Sequence, residues 1–230
     1  DTIKTLINAG DTEIILKNVK GQRYIGTGMK GNYKLILEGI PGNDMAAYMD
    51  GLVISIKGNA QDAMANTMNS GRIVVYGNAG DTVGYAMRGG EIFILGNAGY
   101  RVGIHMKEYA DKKPVIVIGG KVGDFLGEYM AGGTIVILGL NISDAEESIG
   151  NFCGSGMHGG TIYIRKHVNI YKLGKEVNSK EASLEDLGLI ASYVRRFSQF
   201  FSVDYHEIMK ERFIKLYARN SRPYGNLYAY

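Results

Sequence analysis

Four glycines, Gly39, Gly58, Gly77 and Gly96, stand nineteen residues apart, and Met49, Met68, Met87 and Met106 keep the same step. Self-similarity at a fixed period of about 20 residues marks a solenoid, in which each repeat is one coil stacked on the last. Three consecutive lines show it plainly: Ile54-Ser-Ile-Lys-Gly58-Asn59-Ala60, Ile73-Val-Val-Tyr-Gly77-Asn78-Ala79 and Ile92-Phe-Ile-Leu-Gly96-Asn97-Ala98. With small insertions the pattern continues to Gly119 and Gly139, and a last coil runs through Gly159-Gly160-Thr-Ile-Tyr-Ile164.

Reading backwards from each glycine gives two apolar columns. Leu35, Ile54, Ile73, Ile92, Val115, Ile135 and Ile162 form one, and Leu37, Ile56, Val75, Ile94, Val117, Ile137 and Ile164 the other. The columns between them admit Ser55, Glu38, Lys57 and Arg165. This is the period-2 alternation of a strand with one obligatory inward face. Strands recurring in the same sense must pair in parallel, so about seven coils at roughly 4.8 Å each give a rod roughly 30 Å long. The expected fold is all-β: a right-handed parallel β-helix, since parallel crossovers are almost always right-handed. Each coil should hold about three short strands, with corners at Gly-Asn and Gly-Gly, where glycine permits positive φ and close backbone approach. Asn59, Asn78 and Asn97 are expected to stack amide to amide.

The seven-methionine column (Met29, Met49, Met68, Met87, Met106, Met130, Met157) reads as adaptable core filler, because no His or Cys stands beside it at ligand spacing. Glycine, at 33 of 230 residues, is about twice its usual share, and the corners account for it. The formal charge of +3 is interspersed, which argues against a nucleic-acid partner. One cysteine, Cys153, leaves no internal disulfide and no cysteine cluster. No apolar run has the length of a membrane span or signal-peptide core, so a cytoplasmic, membrane-free chain is the expectation. The chain opens on Asp1 without a Met, so leading residues are expected to be missing.

The repeat fades after Val168, giving two expected units: the β-helix with its N-terminal strand over 1–168, and a helical extension with a Tyr-rich tail over 169–230. Ser183 and Asp186 form a helix-start pair, after which Leu187, Ile190, Val194 and Phe197 share one helical face. Asp204 is expected to cap a second helix carrying Ile208, Met209 and Phe213. On the outward columns, Phe93, Leu95, Ile116, Ile118, Val136 and Leu138 are apolar on three successive coils. Such a face is too apolar to be left wet. These six are the candidate interface, covered in part by residues 183–217 and otherwise by a partner or a second copy of the chain.

Catalytic signatures are sparse. Gly26-Thr-Gly28-Met-Lys-Gly31 matches a dinucleotide fingerprint, but the helix that motif needs is replaced by the strand sequence Asn32–Leu37. His105, His158, His167 and His206 are scattered, and Ser155 lies in ordinary Gly-Ser-Gly corner sequence. Asp81 and Asp124 read as turn formers. No catalytic, cofactor-binding or metal-binding residue is expected in this chain.

Gly123-Asp-Phe-Leu-Gly127-Glu128-Tyr129-Met130-Ala-Gly132-Gly133-Thr134 closely resembles a segment of the C-terminal β-helix of the glutamate synthase large chain, the domain of G-x-G-x-G repeats. Gly150-Asn-Phe-Cys-Gly-Ser-Gly156-Met157-His-Gly159-Gly160 resembles its next coil, and Arg23-Tyr-Ile-Gly26-Thr-Gly28-Met29 its beginning. The resemblance covers about residues 14–168 and implies an archaeal-type split enzyme with this β-helix as its own subunit. It implies a non-catalytic assembly role, with amidotransferase and FMN-synthase subunits as partners, and with FMN and an iron–sulfur cluster held by those partners. The chain also resembles, within the same repeat family, the β-helix subunit of formylmethanofuran dehydrogenase, which supports a molybdenum- or tungsten-pterin enzyme. A free-standing polysaccharide enzyme would need charges stacked in a groove, which the columns lack.

Overall fold

The computed structural model describes residues 2–140, 142–143 and 145–220; the Tyr-rich tail expected at 222–230 lies outside them. In chain order the elements are α1 (Thr2–Asn8), β1 (Glu13–Lys20), β2 (Lys34–Ile40), β3 (Asp50–Ile56), β4 (Ser70–Val75) and β5 (Glu91–Ile94). They continue with β6 (Val115–Ile118), β7 (Ala131–Ile137), β8 (Gly159–Arg165), β9 (Val177–Glu181), α2 (Leu184–Phe201), α3 (Tyr205–Met209) and β10 (Phe213–Ala218). One sheet of ten strands carries the order β1 through β8, then β10 and β9. Strands β1 to β8 pair in parallel with their chain neighbours, as a recurring coil requires. The result is a β-solenoid of about six turns. The seven glycine-marked lines are β2 to β8, and β1 adds a further strand below them.

The inward columns are sealed. Ile54, Ile73, Ile92, Ile116, Ile135 and Ile162 stack in register, each with no solvent exposure, and Met49, Met68, Met87, Met106, Met130 and Met157 line the same interior. Ile3, Leu6 and Ile7 of α1 pack against the lower end of this core. A repeat protein needs such a closure, because a terminal coil otherwise presents an apolar cross-section to water.

The structure corrects the expected register in one coil. Ile116 and Ile118 pair with Ile92 and Ile94 and point inward, while Val115 and Val117 face out. Two adjacent glycines cause the slip: Gly120, not Gly119, is the equivalent of Gly96, its N–H bonding to the Gly96 carbonyl at 2.9 Å. Side chains alternate along a strand, so a one-residue shift moves every residue to the opposite face.

The expected three strands per coil reduce to one. Opposite the strand, each coil instead makes a turn in which alternate residues are left-handed. Asp44, Ala46 and Tyr48 have φ of 60°, 56° and 58°, and the next coils repeat this at Ala63, Ala65 and Thr67, then at Thr82, Gly84 and Ala86. Along this turn the N–H groups of the left-handed residues point alternately to the two neighbouring coils. Ala63 donates up to Asp81 (2.8 Å), Ala65 down to Met45 (2.9 Å) and Thr67 up to Tyr85 (2.7 Å). Every coil is thereby stitched to both neighbours on this side too, leaving few buried backbone groups unpaired. The middle position points into the core and is always small: Gly26, Ala46, Ala65, Gly84, Gly103, Gly127, Gly154.

At the Gly-Asn corner, glycine serves close approach. A Cβ on Gly96 would meet Asn78 Oδ1 of the coil below, and one on Gly77 would meet Asn59 Oδ1. The asparagines do not stack amide to amide. Asn59 Oδ1 accepts from Asn78 N (2.8 Å), Asn78 Oδ1 from Asn97 N (2.7 Å) and Asn97 Oδ1 from Lys121 N (2.9 Å). Asp62, Asp81 and Asp124 do the same for Asp81 N, Tyr100 N and Asn151 N. These aspartates therefore join coils rather than merely shaping local turns. At the second corner Gly71 is needed on both counts: its φ is 103°, and a Cβ there would strike the Leu52 carbonyl oxygen of the coil below.

After β8 the chain adds strands as well as helices. Antiparallel β10 pairs with β8, and β9 with β10, extending the same sheet. Ser183 caps α2 through a capping box with Asp186, as its sequence predicts. Asp204 caps α3, but that helix ends at Met209, and Phe213 begins β10.

Candidate interaction faces

The rod has two broad flanks outside its core: the outer face of the sheet and the stack of left-handed turns. On the sheet face, the candidate-interface residues do not form an open surface. Phe93, Val136 and Leu138 are buried, Leu95 is half-buried, and Ile116 and Ile118 belong to the interior. What covers them is α2. Its residues Ile190, Val194 and Phe197 fall three and four apart on one stripe and pack with Val115, Val117 and Tyr163 as well. Phe200 meets Phe93 edge to face at 5.1 Å, and Phe201 meets Tyr76 at 5.3 Å. Arg196 pairs with Glu91 at the rim.

A polar cluster pins the start of α2. Asp186 Oδ1 accepts from the Tyr163 hydroxyl and from Lys215 Nζ, both at 2.6 Å, while Oδ2 accepts from Ser183 N at 3.0 Å. Burial opposes the charge on Asp186, but the bonds from Lys215, Tyr163 and Ser183 outweigh it and hold the carboxyl below its ordinary range. Burial, with the neighbouring Asp186 charge, raises the Tyr163 phenol. One carboxylate thus ties α2 to β8 and β10. Arg165, at the end of β8, donates to the carbonyls of Ile208 (3.1 Å) and Glu207 (3.2 Å), anchoring α3.

Among the described residues nothing covers the turn-stack flank, which sequence patterning does not reveal. Tyr24, Tyr48, Tyr85, Tyr100, Tyr129 and Phe152 are all exposed. Phe125 stacks on Phe152 at 5.0 Å and His105 on Tyr129 at 5.2 Å, with ring planes within 18° and 12°. Tyr85 meets His105 edge-on, and Arg101 lies over Phe125 at 4.7 Å while pairing with Glu128 at 3.0 Å. Several of these bulky residues are left-handed, including Tyr48, His105 and Tyr129. That conformation disfavours L side chains by about 1–2 kcal/mol. The signal is present as aromatic residues in the outer slots of the G-x-G-x-G pattern. It is hidden because those slots look like the approach to a corner.

Burial pushes the Cys153 thiol up to about 12, which holds it in the protonated form at neutral pH. Ser155 is a member of the turn stack, its N–H bonded to the Phe152 carbonyl and its own carbonyl accepting from Tyr129. Gly26-x-Gly28-x-x-Gly31 is a turn leading into β2 rather than a helix start. Among the described residues no group of three or more His, Cys, Asp or Glu could hold a metal ion. Among the same residues no helix is long and apolar enough to cross a membrane.

The chain matches the GXGXG motif over residues 9–219, so the match includes β9, α2, α3 and β10 as well as the coils. It is 43% identical over 224 residues to an uncharacterised protein of Methanocaldococcus jannaschii, with 94% of this chain and 85% of that protein aligned. Its fold resembles a chain in the crystal structure of the formyltransferase/hydrolase complex (FhcABCD) from Methylorubrum extorquens in complex with methylofuran. The TM-score is 0.52 at 21% identity, covering 78% of this chain and 72% of that one. At that identity the likeness is one of fold. A stacked core of isoleucine and methionine, an alternating-hand turn column and a match across nearly the whole chain lead to one assignment: this protein belongs to the GXGXG motif family, which includes the C-terminal domain of the glutamate synthase large chain.

Proposed function

We propose that this chain is a non-catalytic assembly subunit of glutamate synthase, holding the amidotransferase and FMN-synthase subunits in fixed relation so that ammonia passes from one to the other. The observation that carries this reading is where the repeated polar residues go. The Asn and Asp columns are spent on bonds between coils, and the single thiol is buried. What remains outward is a rigid flank of aromatic side chains, a surface suited to contact rather than turnover. With one cysteine the chain does not supply the thiolate set of an iron–sulfur cluster, and in this reading both the cluster and the FMN are held by its partners. In this reading the complex is cytoplasmic.

A second reading has its own support. The structural neighbour is a chain of a formyltransferase/hydrolase complex. By analogy this chain would support a pterin enzyme of the formylmethanofuran dehydrogenase type. Both readings share the assembly role, and they differ in what should co-purify. Native mass spectrometry of the tagged chain from its own cells distinguishes them: amidotransferase and flavoprotein subunits support the first, a pterin protein the second. A chain recovered alone, at monomer mass, contradicts both.

A further inference from the structure

The ten-stranded sheet has two edges, β1 and β9, and they are not alike. A bulge at Asn18, whose φ is 58°, breaks the register of β1 between Leu16 and Val19, a device that blunts an edge. Strand β9 keeps unbroken register with β10 from Val177 to Glu181. On the β10 side, Arg219 N–H donates to the Glu176 carbonyl (2.7 Å) and Ala182 N–H to the Phe213 carbonyl (2.9 Å). Antiparallel bonding alternates, so Val177, Ser179 and Glu181 turn their backbone groups the other way. The Val177 N–H is taken by the Gly174 carbonyl at 3.2 Å, and among the described residues no strand pairs with the rest. Lysine commonly shields an edge, but Lys180 lies over the Tyr217 ring at 5.4 Å. Two open concavities of about 580 and 330 Å³ run along this edge, both lined by Ser179 and the exposed Ile170.

We propose that β9 is a docking edge, at which an extended acidic segment of another protein chain joins the sheet as an eleventh strand. Charge selects the occupant. Residues 165–181 and 210–219, which build this end of the rod, hold nine Lys and Arg against three Glu. The whole chain is only +3, so the remainder of the rod is net negative. Three of these cations spend their bonds on neutral oxygens: Lys172 Nζ on the Ile149 carbonyl, Arg212 Nε on the Lys166 carbonyl and Arg219 Nε on the Asn178 carboxamide. The larger concavity is walled by Lys175 and Arg219 and by no carboxylate; the smaller has Arg212 and Lys180 with Glu181. The fitting segment spans about five residues, roughly 17 Å, with an apolar residue over Ile170 and carboxylates toward Lys175 and Arg219. A second copy would set like charge on like, through β9 or through β1, which carries Lys17 and Lys20 against Glu13. Residues after Asn220 hold Arg222 and no carboxylate side chain, so they also lack the complementary charge. Nucleic acid fits poorly, because half of the edge groups are carbonyls and phosphates have no donor for them. This inference rests on the assembly role proposed above and names the edge that carries it.

The test places a photo-crosslinking amino acid at Ser179, with Leu189 on the exposed side of α2 as comparison, in the tagged chain expressed in its own cells. Mass spectrometry identifies the crosslinked segment, which is then synthesised as a peptide and added to the unmodified chain while amide hydrogen exchange is followed residue by residue. The expected segment has an excess of Asp and Glu. Its binding should slow exchange at Ser179 and Glu181 by at least about tenfold, because those N–H groups gain acceptors. Ser179→Pro removes an outward N–H and leaves the ladder to β10 in place, and should weaken the peptide by about tenfold or more. Lys175→Glu should weaken it about five- to tenfold, and it keeps the test decisive if proline loosens β9. Unchanged circular dichroism and melting temperature verify the fold of each variant. Binding without slowed exchange at Ser179 and Glu181 overturns strand addition, and a segment rich in Lys and Arg overturns the charge selection. Crosslinks to a second copy or to nucleic acid overturn the choice of partner. A complex recovered with crosslinks only from Leu189 overturns the edge and leaves the assembly role standing. A chain that purifies alone as a monomer removes the assembly role and this inference with it.

Discussion

Replacing Gly96 by Ala should destabilise the rod for a reason that a second substitution can remove. A Cβ at Gly96 would stand where Asn78 Oδ1 lies, with the Gly77 carbonyl oxygen 3.0 Å away. The rigid carbonyl can be accommodated by a shift of a few tenths of an ångström, so the displaced carboxamide is the main loss. Moving it breaks its bond from Asn97 N, now 2.7 Å. That bond is worth about 0.5–1.5 kcal/mol, and crowding of a packed contact adds about 1–3 kcal/mol. Gly96→Ala should therefore cost about 2–4 kcal/mol. Asn78→Ala loses only the hydrogen bond and should cost about 1 kcal/mol, because the Asn97 amide is near solvent. In Asn78→Ala/Gly96→Ala the oxygen that the methyl would strike is gone. The pair should then cost less than the sum of the singles, with a coupling of about 1–2 kcal/mol. Urea denaturation of the four proteins, with slopes shown to be equal, measures the cycle. Strict additivity would refute the claim that glycine recurs here to admit the side chain of the coil below.

Other outcomes follow from the same packing. Ile116→Ala should cost about 2–5 kcal/mol, as a large-to-small change in a sealed core does, while Lys57→Ala should stay within about half a kcal/mol of the parent; equal urea midpoints for the two would refute the corrected register. Phe197→Ala should cost about 3–5 kcal/mol and raise binding of a hydrophobic dye, because it loosens α2 from Phe93 and Val117; unchanged dye binding would contradict α2 as the cover. Asp186 has a depressed folded pKa, so its contribution is fully present above its unfolded value of about 3.9 and fades as pH falls through that value toward the folded one. The melting temperature should accordingly drop below about pH 4, and Asp186→Asn should lower it at neutral pH while flattening that acid dependence. Cys153 should resist a thiol reagent in the native state and react at once in denaturant; rapid native labelling would contradict its burial.

How much is legible in the sequence depends on which kind of regularity each residue expresses. Ile73 and Ile92 declare strand and inward face together, because a sealed column admits no polar residue and a nineteen-residue step has few explanations. Gly119 and Gly120 show where that logic fails. With two glycines adjacent, period alone leaves the register open by one residue, and only the bonds to Gly96 and Asn97 close it. Asp81 and Thr82 escape for another reason. Left-handed, outward-facing residues carry no hydropathy signal and a turn is the common context for Asp, so the coil-joining role is masked, and the aromatic slots of the flank read as the approach to a corner. Phe213 reads as helical by spacing from Ile208, yet pairing with β8 decides its conformation, and pairing between distant segments leaves no local mark. The sequence marks the sheet face as one that must be covered, in part by residues 183–217, because apolar residues are dense there. That density is the signature of α2 packing on it.

The central claim, that this chain couples catalytic partners rather than catalysing, is tested most directly by reconstitution with and without it. Glutamate formation by the purified amidotransferase and flavoprotein is followed with glutamine and, separately, with ammonia as nitrogen donor. Adding the chain should raise the glutamine-dependent rate severalfold and leave the ammonia-dependent rate unchanged. A glutamine-dependent rate indifferent to the chain, or turnover by the chain alone, would contradict the account.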